Sequence, residues 1–431
     1  MELERLITQL GKFKVLKISN CGEIKGEVSI SGAKNSALPL LAASLLVEEL
    51  TLENFPILLD TLYGLKILQN LGKEIILYPE TNRVVIRGTV KGNKVDYQLA
   101  GLFRGSILFL GGLLGSMGKA QIAQPGGCPI GKRPIDLHLK FLQSLGCQIE
   151  QEGDFITVKL PPKPKRREFT FEKITVTGTE NALLTLTALE GEFILKNVAL
   201  EPEVLDLVSF LRKLGVKIEI FNRTFKIVVP RKKELKHSLT HQIIPDRIEA
   251  GTFLVLGALL GNPLKVKGLN VFHLKAVIEK LQKAGVRLKV KSPGEVEVYK
   301  SILRGDNYLE TQPYPGFPTD MQAQFMVLYA LAKGRSVIVE KIFENRFQHA
   351  HELKKMGAKI RIEGNKAFIE GVEKLKGASV KATDLRASAA LVIAGAVAEG
   401  ETTISNIHHL LRGYEKFDQK LASLGCRLKL F

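Results

Sequence analysis

Cys128 lies in the stretch QPGGCPIGKRPIDLH, within a run of glycines and prolines and with Lys132, Arg133 and His138 close behind it. A free cysteine ordinarily behaves as a small, buried hydrophobe. Cationic neighbours lower a thiol from its usual pKa of about 8.5 toward neutral pH. A thiol so placed can deliver a proton or add to an electron-poor carbon. The flanking glycines and prolines suit a loop that swings over a ligand and excludes water. A second set of polar residues stands at the entrances of very apolar runs: Lys34 and Asn35 in SGAKNSALP, Arg104 in LFRGSI, Asp246, Arg247 and Glu249 in IPDRIEAGT, Asp320 and Gln322 in FPTDMQAQF, and Asp384 and Arg386 in TDLRASAA. Helix N-termini favour negative groups, so Asp320 and Asp384 suit plain N-caps. Lys34, Arg104, Arg247 and Arg386 oppose the helix dipole. Alone, each reads as a structural ion-pair partner; together they read as a site that gathers cations around an anionic ligand.

The elements that must position these groups recur along the chain. Six times the sequence ends an apolar helical pattern, meets a glycine and begins a strand: LQNLGKEIIL, LQSLGCQIEQ, LRKLGVKIEI, LQKAGVRLKV, LKKMGAKIRI and LASLGCRLKL. The glycines are Gly72, Gly146, Gly215, Gly285, Gly357 and Gly425, at intervals of 74, 69, 70, 72 and 68 residues. Glycine there predicts a left-handed cap that stops the helix and turns the chain into the strand. Upstream of each lies a run rich in small residues, as in NSALPLLAASLL, GSILFLGGLLGSM, NALLTLTALE or SAALVIAGAVA. Such runs predict helices packed closely on several sides. Each unit reads as helix, strand, helix and hairpin, so the chain is an α/β protein of six units, three to a domain.

The length of 431 residues exceeds one ordinary core, and 45% hydrophobic with 25% charged residues is a soluble globular composition. The longest apolar candidate, LFRGSILFLGGLLGSMG, is broken by Arg104 and glycines, so no membrane span is expected. The opening MELERLITQLGKFK reads as a short helix or arm without a signal sequence, and a cytoplasmic protein is expected. Cys21, Cys128, Cys147 and Cys426 form no CxxC pair and have no histidine at ligand spacing. This predicts reduced thiols, with no zinc site and no disulfide framework, and Cys21, Cys147 and Cys426 in structural roles. The net charge of +18 would suit nucleic acid, anionic substrates or simply a lysine-rich surface. No basic cluster interleaved with aromatics accompanies it, and the one dense basic run, LPPKPKRREF, reads as a solvated turn.

The motifs GEVSISGAKNSALPLLAASLL, FRGSILFLGGLLG, PGGCPIGKRPIDLHLKFLQSLG, PDRIEAGTFL, FPTDMQAQF, ENRFQHAHEL, DLRASAALVIAGAVAEGET and RGYEKFDQKLASLG cover nearly the whole chain from about Lys14 onward. They resemble the UDP-N-acetylglucosamine 1-carboxyvinyltransferase family of the EPSP synthase superfamily. The resemblance implies two inverse α/β prism domains, each of three repeats. One comprises residues 33–244 and carries the Cys128 loop; the other comprises 1–32 with 245–431, the N-terminal strand returning to it. It implies transfer of the enolpyruvyl group of phosphoenolpyruvate to the sugar 3-hydroxyl with loss of phosphate, the first committed step of peptidoglycan synthesis. It further implies two small-molecule substrates, no metal or cofactor, and no nucleic-acid or membrane partner.

Residue by residue, Cys128 matches the family's loop cysteine, a general acid or a covalent partner of phosphoenolpyruvate. Lys34, counted also as catalytic, matches with Arg133 and Arg412 the cations that hold that substrate, and Arg386 stands alongside. Arg104 and Asn35 match substrate contacts. Arg133, Pro134, Ile135, Asp136 and Leu137, then Lys173, Ile174, Thr175 and Val176, and finally Ile342 match nucleotide-sugar contacts. Asp320 matches the aspartate that takes the proton from the sugar hydroxyl. Thr177 departs from the pattern, since many relatives have glycine there. The chemistry agrees with these assignments: a substrate bearing phosphate and carboxylate needs several fixed cations, and a weakly nucleophilic hydroxyl needs a positioned base. The sister enzyme acting on shikimate 3-phosphate shares the fold but lacks the PGGCPIGKRP loop. A nucleic-acid-binding scaffold would instead show binding that falls steeply with salt.

Overall fold

The computed structural model describes residues 2–127, 130–131 and 134–431. The chain forms two compact units. One holds residues 2–7, Gly32–Gly127 and 134–244; the other holds Thr8–Ser31, Ile130 with Gly131, and Pro245–Phe431. All six repeat glycines have positive φ, at 99°, 88°, 120°, 86°, 92° and 92° in chain order. A side chain at those angles would be strained, so glycine is required for the helix-to-strand turn.

Among the described residues, each unit contains three four-stranded sheets of one topology. In the first unit, Ser238–Gln242 runs parallel to Glu49–Glu53, which is antiparallel to Arg83–Arg87, which pairs in turn with Glu74–Tyr78. The same order recurs in the second unit with Ile24–Ser29, Gly261–Lys267, Glu295–Tyr299 and Arg287–Ser292. There the N-terminal strand Val15–Ser19 lies between Glu401–Ser405 and Leu428–Leu430, antiparallel to both. Strands far apart in sequence therefore close each unit.

The small-residue runs form the helices Lys34–Ala43, Leu108–Met117 and Val176–Leu186 in the first unit, and Arg247–Leu260, Gln322–Ala330 and Leu385–Val397 in the second. Within each unit the three pack against one another. All 14 residues of Arg247–Leu260 are buried, so the absence of a polar face is a consequence of its surroundings. Small residues permit the close approach. A Cβ at Gly112 would collide with the Ala42 carbonyl, and one at Gly115 with the Leu184 carbonyl. The third helix begins at Val176 rather than at Asn181, where its apolar run starts, because the Thr175 side chain accepts from Gly178 N at 3.2 Å and caps it there.

One expectation is corrected. Cys21 and Cys426 form a disulfide, with Cα atoms 4.6 Å apart across a sequence separation of 405. Both follow or precede strands that pair, Val15–Ser19 and Leu428–Leu430, so the fold brings together cysteines whose spacing carries no sign of it. Among the described residues Cys147 is free, and burial pushes its thiol up to about 12. No described helix is long and apolar enough to cross a membrane.

Candidate active site

The polar residues at the helix entrances take up distinct tasks. Asp246 and Asp384 are N-caps: Asp246 Oδ1 accepts from Ile248 N at 2.8 Å and Glu249 N at 3.0 Å, and Asp384 Oδ1 accepts from Arg386 N at 2.8 Å and Ala387 N at 3.0 Å. Asp320 is not a cap. It sits in the 3₁₀ turn Thr319–Met321, directly before Gln322–Ala330, and its carboxylate is gripped by two arginines. Arg346 Nη2 donates to Oδ1 at 2.8 Å and Arg386 Nε to Oδ2 at 3.0 Å. The arginine side chains are 5% and 1% exposed, whereas Asp320 keeps 25% of its side chain open. Buried arginines require a paired, hydrogen-bonded anion, and here they share one whose outer surface stays accessible.

Around this clamp the second unit is densely cross-linked. The Arg386 Cζ lies 5.2 Å from the centre of the Tyr414 ring. Tyr414 itself is fixed by Thr252 Oγ1 and Gln324 Nε2, each 3.1 Å from its hydroxyl. Burial opposes the charge on Arg386, but Tyr414, Asp320 and Asp246 outweigh it and raise its pKa. Burial likewise opposes the charge on Arg346, and Asp320, Asp384 and Glu340 outweigh it. Both arginines remain cations. Burial holds His349 neutral, down to about 4, despite the pull of Asp384. Ile342 is 38% exposed, and Arg412 is buried at the end of the short helix His408–Leu411.

The first unit holds its own polar groups. Lys34 opens its helix 7% exposed, and its Nζ lies 3.2 Å from Asp60 Oδ2. Asn35, the next residue, is half-buried. Arg104 Nη2 donates to the Pro134 carbonyl at 3.1 Å, and His138 Nε2 lies 3.1 Å from Thr177 Oγ1. These contacts tie Arg104 to Pro134 and His138 to Thr177; Ile135, Asp136 and Leu137 lie in the chain between Pro134 and His138, and Lys173, Ile174, Thr175 and Val176 directly precede Thr177. Burial, aided by Arg104, pushes His138 down to about 4, so it stays neutral. Cys128 and Arg133 lie outside the described residues.

Arg346, Glu340 and Tyr414 were not singled out by sequence. Arg346 lies within ENRFQHAHEL and Tyr414 within RGYEKFDQKLASLG, so a motif marked each. Glu340 merely ends an apolar strand pattern and gives no signal. Among the described residues no group of three His, Cys, Asp or Glu is placed to hold a metal ion.

The family model described as EPSP synthase (3-phosphoshikimate 1-carboxyvinyltransferase) matches residues 18–421. A protein of Koribacter versatilis (strain Ellin345) described as UDP-N-acetylglucosamine 1-carboxyvinyltransferase is 47% identical over 411 residues, covering 94% of this chain and 93% of its own. The crystal structure of the enolpyruvyl transferase NikO from Streptomyces tendae superposes with a TM-score of 0.87 at 25% identity, covering 97% of this chain and 99% of that one. EPSP synthase from Acinetobacter baumannii superposes at 0.77 with 18% identity, over 97% of this chain and 100% of that one, a likeness of fold.

Proposed function

The chain belongs to the EPSP synthase family of enolpyruvyl transferases, and from that premise we propose that it joins phosphoenolpyruvate to the 3-hydroxyl of UDP-N-acetylglucosamine, releasing phosphate. The observation that carries the choice of acceptor is the 47% identity, over 94% of the chain, to a relative named for that reaction. In this reading Asp320 is the base. Arg346 Nη2 and Arg386 Nε donate to its two oxygens. They also fix its direction, so the open edge accepts the hydroxyl proton as the sugar oxygen attacks C2 of the enolpyruvyl group. Cys128 delivers a proton to C3, giving a tetrahedral ketal. Loss of a C3 proton and of phosphate then leaves the enol ether. Lys34, Arg133, Arg386 and Arg412 hold phosphate and carboxylate, while Asn35, Arg104, the segments Arg133–Leu137 and Lys173–Val176, and Ile342 hold the nucleotide sugar. Both substrates are charged and water-soluble, which supports a reaction in the cytoplasm on small molecules rather than on a nucleic acid or a membrane.

The test is phosphate release in the presence of phosphoenolpyruvate and either acceptor. Release with UDP-N-acetylglucosamine and none with shikimate 3-phosphate is expected; the reverse preference would assign the chain to the sister reaction.

A further inference from the structure

Glu340 directly follows the strand Arg335–Val339, yet only 3% of it is exposed. Its main chain is pinned to Asn365, whose carbonyl accepts from Glu340 N at 2.9 Å and whose Nδ2 donates to the Glu340 carbonyl at 3.2 Å. The carboxylate is fully engaged. Oε1 accepts from Thr311 Oγ1 at 2.8 Å, Ile342 N at 2.8 Å and Phe343 N at 3.1 Å. Oε2 accepts from Thr319 Oγ1 at 2.8 Å. The Thr319 hydroxyl has one proton, given to Glu340, so its lone pair is free to accept from Arg346 Nη1 at 2.7 Å. The other nitrogen of that guanidinium, Nη2, holds Asp320 Oδ1 at 2.8 Å. Thr311 is committed in the same way, accepting from Lys341 N at 2.9 Å while donating to Glu340. With every partner donating to the Glu340 carboxylate, each proton in the chain of bonds has one place. An amide at position 340 offers a single acceptor oxygen and turns an NH₂ toward one of its partners.

We propose that Glu340 is a positioning residue that serves both ends of the reaction at once. Through the amides of Ile342 and Phe343 it fixes the segment assigned above to the nucleotide sugar. Through Thr319 and Arg346 it aims the carboxylate of Asp320. The inference rests on the reading of Asp320 as base and Ile342 as a sugar-nucleotide contact. It predicts that acceptor binding and base alignment share one buried carboxylate, the first arm acting on KM and the second on kcat.

The experiment is steady-state kinetics of Glu340→Ala, Thr319→Val and the double variant, with melting curves to confirm folding and Asp320→Asn as reference. Thr319→Val breaks only the arm to the base, so kcat falls about tenfold while KM for UDP-N-acetylglucosamine holds. Glu340→Ala, which unlike an amide leaves no oxygen for either arm, breaks both, so kcat falls about as far and KM rises about tenfold. The double variant matches Glu340→Ala, because residues of one relay are not additive. Thr319→Ser, which keeps the hydroxyl, recovers most of the loss. If Glu340→Ala does not fold, the kcat-only loss in Thr319→Val and its recovery in Thr319→Ser decide. Inactive Asp320→Asn beside folded Glu340→Ala and Thr319→Val with unaltered kcat and KM would overturn the proposal, as would losses that simply multiply in the double variant. Active Asp320→Asn would instead remove the base assignment, and the relay's purpose with it.

Discussion

Asp320→Asn is expected to retain the fold and lose turnover by about three orders of magnitude, the usual scale for removing a positioned proton acceptor. The side chain keeps its shape, and the amide oxygen still accepts from one of the two arginines. What disappears is the negative charge that receives the hydroxyl proton. Asp320→Ala carries a further cost, because Arg346 and Arg386 are almost wholly buried and would face each other with their shared anion gone. Removing one partner of a buried ionic group destabilises by about 3 kcal/mol or more. Phosphate release and melting temperature, read on both variants, separate the two effects. Near-normal turnover in a folded Asp320→Asn protein would reject the residue as base.

The second large effect concerns sulfur. Iodoacetamide at neutral pH is expected to modify Cys128 well before any other cysteine, and Cys128→Ala to lower turnover by about two to four orders of magnitude. Cys21 and Cys426 are tied to each other, and burial keeps the Cys147 thiol protonated far above neutrality. Only the thiolate is nucleophilic, so Cys147 offers a slow target. Cys128 has Lys132 and Arg133 nearby in sequence, which favour its thiolate. Peptide mapping by mass spectrometry after brief labelling checks the order. Equal labelling of Cys128 and Cys147, or full activity in Cys128→Ala, would deny the loop cysteine its special role.

Much of the architecture was legible because the physics is local. A helix that must stop and turn into a strand demands positive φ, and glycine answers at all six positions from Gly72 to Gly425. Cations at helix entrances were conspicuous because they oppose the dipole, and Lys34 and Arg386 do stand against carboxylates in the structure. Asp320 and Asp384 looked alike from sequence, each a lone acid before an apolar helix. Only geometry separates them: Asp384 gives Oδ1 to backbone amides, whereas Asp320 gives its two oxygens to arginine side chains. The disulfide could not be read, since its cysteines meet through strand pairing between the two ends of the chain. Glu340 was equally silent. Its significance lies in hydrogen bonds to Thr311, Thr319, Ile342 and Phe343, contributed by three separate stretches of chain whose conformations no single-residue preference encodes.

The reading of the whole molecule comes down to where the acceptor's hydroxyl sits. A crystal structure with UDP-N-acetylglucosamine bound measures this directly. The sugar 3-oxygen is predicted to lie within hydrogen-bonding reach of the Asp320 carboxylate, about 2.6–3.2 Å away, with Arg346 and Arg386 still on the two oxygens. A nucleotide sugar whose 3-hydroxyl points away from Asp320 and bonds to another group would contradict the account.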